Sequence, residues 1–142
     1  MRCEAIMKKS VECASPGDTA ENAARKMAGT NVGFLPVCES ANGLVIGTVT
    51  DRDIALRVVG QGKTKDAKVS EFMTREVISC RPGDDVHKAE DLMAKHQKSR
   101  MVVTDDQGKI EGVISLSDIA DKDRERAGRT LRAVTARETR AA

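Results

Sequence analysis

Gly47-Thr48-Val49-Thr50-Asp51-Arg52-Asp53-Ile54 and Gly112-Val113-Ile114-Ser115-Leu116-Ser117-Asp118-Ile119 carry one pattern, G-x-x-[ST]-x-x-D-I, twice in 142 residues. Each reads as an apolar strand ending at a hydroxyl residue, followed by a helix with a carboxylate on its first turn. Two chemistries fit such a junction. An [ST]-x-x-[DE] step ahead of an apolar run is the capping-box signature, in which hydroxyl and carboxylate satisfy backbone N–H groups reciprocally and no ligand is required. The same junction offers free N–H groups and the positive end of a helix dipole, which suit phosphate. A hydroxyl donates to a phosphate oxygen, and an ionised carboxylate accepts from the vicinal hydroxyls of a ribose.

The motif belongs to a longer repeat. At an offset of 66 residues Met7 meets Met73, Pro16-Gly17-Asp18 meets Pro82-Gly83-Asp84, Ala23 meets Ala89, Met27-Ala28 meets Met93-Ala94 and Val37 meets Val103. One residue then drops out in a Gly-bearing turn, and at an offset of 65 Gly43 meets Gly108 and Asp53-Ile54-Ala55 meets Asp118-Ile119-Ala120. Two units of about 55 residues follow, each small enough to need help in completing a core.

Each copy predicts the order β-α-β-β-α. A short extended entry at Val11 or Val77 leads to Pro-Gly-Asp as turn and helix start, then a helix over 19–29 or 85–96 with Ala20, Ala23, Ala24, Met27 or Val86, Ala89, Leu92, Met93 at helical spacing. Strands at 32–37 and 44–49 are joined through Ser40-Ala41-Asn42-Gly43, and those at 101–103 and 110–114 through Asp105-Asp106-Gln107-Gly108. A second helix begins near Asp51 or Ser117. The expected class is α+β, mixed helix and strand, with repeats at 1–62 and 73–123, a linker at 63–72 and an Arg-rich tail at 124–142 that either extends the last helix or frays.

Composition narrows the function classes. Hydrophobic content of 39% and charged content of 32% describe a soluble globular chain, and no apolar run approaches the roughly 18 residues of a membrane span. Two Phe with neither Trp nor Tyr leave no platform for stacking bases of single-stranded nucleic acid. The tail's six Arg and two Glu carry +4 of a net +2, so the preceding body is −2. Cys3, Cys13, Cys38 and Cys80 form no C-x-x-C pair, and the two His supply no second half-site, so neither a metal centre nor a disulfide framework is expected. The N-terminus lacks the apolar run of a signal peptide, which with the cysteine usage points to a reducing cytoplasm. Gly60-Gln61-Gly62-Lys63-Thr64 fails as a phosphate-binding P-loop because Arg57 stands where Gly is required. His87 and His96 have no nucleophile or carboxylate pair placed beside them by sequence, so no enzyme activity is expected. Met7, Met27, Met73, Met93 and Met101 recur at matched positions and read as core filling.

With the strand Phe34-Leu35-Pro36-Val37 ahead of the first G-x-x-[ST]-x-x-D-I segment, the pair of repeats closely resembles the cystathionine-β-synthase (CBS) domain tandem, or Bateman module, over residues 6–123. The resemblance implies two repeats packed about a pseudo-two-fold axis, adenosine-containing ligands (AMP, ADP, ATP or S-adenosylmethionine) in the clefts between them, and a homodimer that signals to a partner protein. It implies a regulatory ligand and no tightly bound cofactor.

Carried over by position, the resemblance makes Asp118 a ribose ligand, with Val113 beside the adenine and Ser15, Ala20, Val32 and Gly33 completing that base pocket. In the other cleft Asp53 would hold the ribose, with Thr48 near the base and Arg81, Val86, Lys98 and Ser99 in the corresponding places. Thr50, Ser115 and Ser117 would meet phosphates, with Arg52 and Arg100 as counter-charges. Val102 stands where the first copy has Pro36, and Arg81 where it has Ser15, so the resemblance favours occupancy at Asp118 over Asp53. The alternative is a dimeric scaffold that senses nothing, its [ST]-x-x-D segments serving as caps and its Arg tail docking on nucleic acid or an acidic protein.

Overall fold

Helix α1 (Ala20–Thr30) opens on a capping box in which Thr19 accepts from the Asn22 N–H and Asn22 returns the bond to the Thr19 N–H, both at 3.1 Å. It stops at Asn31, in the left-handed region at φ 55°. The computed structural model describes residues 1–141, with side chains except those of Arg137, Thr139, Arg140 and Ala141. Its contacts divide the chain into two units.

The first unit holds Val11–Val77 with Gly108–Ile110. After α1 come β1 (Phe34–Cys38) and β2 (Val45–Thr50), paired antiparallel with Leu35 opposite Val49 and Val37 opposite Gly47. Leu35, Val37 and Val49 are buried against Ala23 and Met27 of α1. Ala14 bridges Val37 in parallel on one side of this pair and Thr74 bridges Thr48 on the other. Thr50 ends β2 and caps α2 (Asp51–Asp53), which runs on as a π-helical segment Ile54–Val59. α3 (Val69–Phe72) then sends Val69 and Phe72 into the core. Residues 69–72, part of the expected linker 63–72, are thus helical core. Their apolar pair at i and i+3 lies on one helical face, a signal too short to stand out in a mostly polar stretch.

The second unit holds Met1–Ser10, Ile78–Gln107 and the chain from Glu111. A 3-10 turn, Cys3–Ala5, precedes β3 (Ser79–Cys80), α4 (Val86–His96), β4 (Arg100–Thr104), β5 (Ile110–Ser115), α5 (Leu116–Ala120) and α6 (Arg124–Ala141). The sheet order is β3-β4-β5, with β3 parallel to β4, and Lys8 bridges Val113 as Thr74 bridges Thr48 in the first unit. Asp85 caps α4, and Gln97 ends it at φ 54°. Met93, Met101, Val103, Ile114 and Ile119 fill the core, with Cys3 and Cys80 among them at a sulfur–sulfur distance of 3.6 Å.

The Pro-Gly-Asp turns are not the helix starts expected of them. Asp18 and Asp84 close the turns instead, accepting from the N–H of Ser15 at 2.9 Å and of Arg81 at 2.8 Å, while the next residues, Thr19 and Asp85, cap the helices.

The basic C-terminal stretch is a separate helix rather than a continuation of α5 or a frayed end. Asp123 caps α6 through the Arg126 N–H at 3.0 Å. Ala127, Thr130 and Val134 at i, i+3 and i+7 bury one face against α4 and α5. Glu90, only 2% exposed, accepts from Arg126 Nε at 2.9 Å and from the Thr130 hydroxyl at 3.0 Å. Arg126 is therefore spent on holding the helix down and is not a free docking charge. Arg137 and Arg140, counted with the tail, lie outside the described side chains.

Candidate functional site

Both G-x-x-[ST]-x-x-D segments form full capping boxes. The Thr50 hydroxyl accepts from the Asp53 N–H and Asp53 Oδ2 from the Thr50 N–H, each at 3.0 Å. The Ser115 hydroxyl accepts from the Asp118 N–H at 3.2 Å, and Asp118 Oδ2 from the Ser115 N–H at 3.1 Å. Capping and ligand binding, open alternatives in the sequence, differ in what each box leaves over. Asp53 is also approached by the Thr74 hydroxyl at 3.4 and 3.5 Å and by Arg57 Nε at 3.8 Å, which occupies both its oxygens. Asp118 uses Oδ2 in its box, and among the described residues Oδ1 has no partner. Its acceptor is available for a ribose hydroxyl.

The surroundings diverge further. In the first unit the residue after the cap is Asp51, whose N–H donates to the Gly33 carbonyl at 3.0 Å and whose carboxylate lies against Gly33; a Cβ added there would stand 2.6 Å from Asp51 Oδ2. A carboxylate thus stands in the chain between Thr50 and Arg52, the two residues expected to receive phosphate, and takes the Arg52 N–H at 2.9 Å. In the second unit the matching residue is Leu116, 7% exposed, whose N–H donates to the Ser99 carbonyl at 2.8 Å.

Beside Leu116 the second unit contains a cavity of about 460 Å³, within the usual range of small-ligand pockets. Its polar lining is Ser99, Arg100, Ser115, Ser117 and Arg124, and its apolar wall is Leu116 and Ala120 of α5 with Ala127 and Leu131 of α6. Arg100 comes from the first residue of β4, the two hydroxyls from the β5–α5 junction, 2.8 Å apart, and Arg124 from the first residue of α6. Among the described residues neither guanidinium is engaged in an ion pair. α5 has only five residues, so its dipole adds little, and the attraction for an anion comes from the two guanidiniums and the hydroxyls.

Four expected residues, Ser99, Arg100, Ser115 and Ser117, therefore line one cavity, with Asp118 next along the chain, although Ser99 was expected in the Asp53 cleft. Val113 lies back along β5, its backbone paired with Lys8, and Lys98 is exposed before β4. In the first unit Thr48, Thr50, Arg52 and Asp53 gather at the β2–α2 junction, with Gly33 hydrogen-bonded to Asp51 and Val32 closing the end of α1 on the Met27 carbonyl. Ser15 lies 3.3 Å from the Ser40 hydroxyl, and Ala20, 3% exposed, is part of the core. Arg81 is held by the Thr104 hydroxyl at 2.7 Å and by Asp106 at 3.4 Å. The place of Arg124 beside this cavity was not expected because its neighbours in sequence suggested a solvated basic run; the Asp123 cap and the Ala127, Thr130, Val134 spacing were the signals of a packed helix.

The CBS domain model matches twice, at residues 3–60 and 69–125. The chain belongs to the CBS domain family. Its two CBS repeats begin at the 3-10 turn and at α3, segments that each join the unit containing the body of the other repeat. The CBS domain-containing protein YhcV of Bacillus subtilis is 40% identical over 114 residues, covering 80% of this chain and 79% of the relative. The CBS domain pair of protein MJ0100, solved with 5′-methylthioadenosine and S-adenosyl-L-methionine, is similar at a TM-score of 0.78 and 26% identity, over 91% of this chain and 98% of that one. The CBS domain protein PAE2072 of Pyrobaculum aerophilum, complexed with AMP, is similar at a TM-score of 0.80 and 25% identity, over 87% and 94%. The mixed fold with two CBS repeats is thus established, and among the described residues no helix is long and apolar enough to cross a membrane.

Proposed function

We propose that this protein is a regulatory module that binds an adenosine-containing nucleotide and passes its occupancy to a partner protein through a homodimer. Asp118 accepts from the ribose hydroxyls through Oδ1. The Ser115–Ser117 pair, whose hydroxyls are hydrogen-bonded at 2.8 Å, donates its one free proton to the phosphate, and Arg100 balances its charge. The observation that carries this reading is the difference between the boxes: Asp118 keeps an acceptor oxygen, and its chain neighbour Ser117 lines a cavity that also takes Arg100 and Arg124, whereas both oxygens of Asp53 are engaged by Thr74 and Arg57. One nucleotide per chain is the expected stoichiometry. The AMP and S-adenosylmethionine complexes of similar CBS proteins support the ligand class.

Calorimetry on the full chain tests it, with AMP, ADP, ATP and S-adenosylmethionine as ligands and GMP as control. The expected result is adenine-selective binding with one site per chain, abolished in Asp118→Ala and retained in Asp53→Ala. A wild-type protein indifferent to all four adenosine compounds, or one whose binding survives Asp118→Ala, overturns the reading. A ligand at about a hundred times its dissociation constant adds roughly 2.7 kcal/mol to folding stability, so thermal unfolding gives an independent readout.

A further inference from the structure

We infer that Arg124, at the start of α6, is an anion-binding residue of this protein, completing with Arg100 a two-guanidinium clamp for the phosphate of a phosphorylated ligand, and that α6 is thereby part of the binding site. The inference deepens the proposed nucleotide site and rests on it for the identity of the ligand, though not for the presence of an anion.

Three observations carry it. Arg100 and Arg124 line the same cavity of about 460 Å³ from different elements, and neither has an ion-pair partner among the described residues. Two arginines bordering one concave space make it attractive to an anion, and Arg forms paired hydrogen bonds with phosphate oxygens. Second, the Ser115 and Ser117 hydroxyls, hydrogen-bonded to each other at 2.8 Å, line the same cavity and leave one O–H as a neutral donor. Third, α6 carries Gly128 on the cavity wall, where an added Cβ would meet no atom within 4 Å. A helix-interior glycine lowers helix stability, and no close packing requires this one, so its lack of a side chain leaves that part of the cavity wall bare.

The first repeat lacks this device. At the offset of 65 residues the counterpart of Arg124 is Val59, 71% exposed, and that of Leu116 is Asp51. Opposed cations are therefore a property of the second unit. The helix carrying Arg124 is fixed to that unit by the Glu90–Arg126–Thr130 contacts, so its first turn is held in place. A ligand phosphate drawing on Arg124 would tie site occupancy to the seating of α6.

The test is calorimetry with AMP, adenosine and inorganic pyrophosphate on the wild-type full chain and on Arg124→Ala, Arg124→Lys and Arg132→Ala. Circular dichroism confirms that each variant keeps its helix content. Arg132 is exposed on α6 and does not line the cavity, so its variant reports any general loss of helix charge. The expected result is that Arg124→Ala weakens AMP at least tenfold, leaves adenosine within twofold and abolishes pyrophosphate binding. Arg124→Lys should recover part of the AMP affinity, and Arg132→Ala should match wild type. Unchanged AMP affinity in Arg124→Ala, or equal losses for AMP and adenosine, overturns the inference, the latter because Arg124 would then act as a wall and not as a phosphate ligand. Arg124-dependent binding of pyrophosphate without binding of any adenosine compound upholds the clamp while refuting the nucleotide reading. A wild-type protein that binds neither AMP nor pyrophosphate refutes the clamp.

Discussion

Gly112 and Lys8 approach so closely that a Cβ on Gly112 would stand 2.7 Å from the Lys8 carbonyl oxygen and 3.0 Å from Met7 Sδ. The same relationship links Gly47 with Thr74, at 2.8 Å, and with Met73 Sδ, at 3.0 Å. The first letter of the G-x-x-[ST]-x-x-D motif is therefore a packing requirement: the Lys8–Val113 and Thr48–Thr74 bridges lie where no side chain fits. Gly112→Ala and Gly47→Ala should each lower stability by about 2 kcal/mol through displacement of the paired backbone, read as a fall in the urea midpoint at constant slope. Wild-type midpoints would show that the neighbouring segment yields without cost.

Much of this was legible in the sequence because the repeat states it twice. Two copies of one hydrophobic pattern fix the helices and strand pairs to within about two residues. The missed elements have specific causes. α3 has only Val69 and Phe72 to announce it, and its counterpart, the Cys3–Ala5 turn, is shorter still. Pro-Gly-Asp was read as turn and helix start together because Asp serves in both roles, whereas Asp18 closes the turn and Thr19 caps α1. Of the residues that line the cavity, Ser99, Arg100, Ser115 and Ser117 were named from the family resemblance. Whether Asp53 or Asp118 had an oxygen to spare depended on Thr74, far away in sequence, and the place of Arg124 beside the cavity depended on how α6 docks.

The two turn carboxylates predict the acid limb of the stability curve. Burial opposes ionisation of Asp18, yet the Ser15 N–H and Lys26 outweigh it and hold the carboxyl below its ordinary value of 3.8. Asp84 is lowered chiefly by the Arg81 N–H, with Lys88 assisting against a desolvation cost. A folded-state value below the unfolded one gives a contribution complete above pH 3.8 and lost as pH falls through the lower folded values. Stability should thus fall as pH drops below about 4, and Asp18→Asn with Asp84→Asn should flatten that fall while lowering the plateau near neutrality. Chemical denaturation at a series of pH values measures it; an unchanged acid limb in the double variant would assign acid sensitivity to other groups.

The seating of α6 depends on a buried charge. Glu90 is 2% exposed, with Arg126 on one oxygen and Thr130 on the other. Removing Arg126 strands a carboxylate in a nearly dry environment, and Arg126→Ala should cost about 3 kcal/mol, well above the 1 kcal/mol or less expected for the exposed Arg129–Glu125 pair. Replacing Glu90 and Arg126 together, as Glu90→Leu with Arg126→Met, should recover most of the loss because both desolvation costs disappear. Equal losses for Arg126→Ala and Arg129→Ala would mean that water reaches Glu90 when Arg126 is gone.

Gly128 separates stability from binding within one residue. It lies inside α6, and a methyl group there would meet no atom within 4 Å, so Gly128→Ala should gain helix propensity without a clash and raise stability by about 0.5–1 kcal/mol. The same position lines the cavity, so a larger side chain fills space that a ligand needs. Gly128→Leu should leave the fold intact while weakening AMP by tenfold or more, with Gly128→Ala between it and wild type. Unfolding midpoints and titration calorimetry on the same three proteins measure both quantities. Opposite trends would identify the glycine as a concession of helix stability to the cavity. Parallel gains in stability and affinity would show instead that the nucleotide is held without using the space beneath α6.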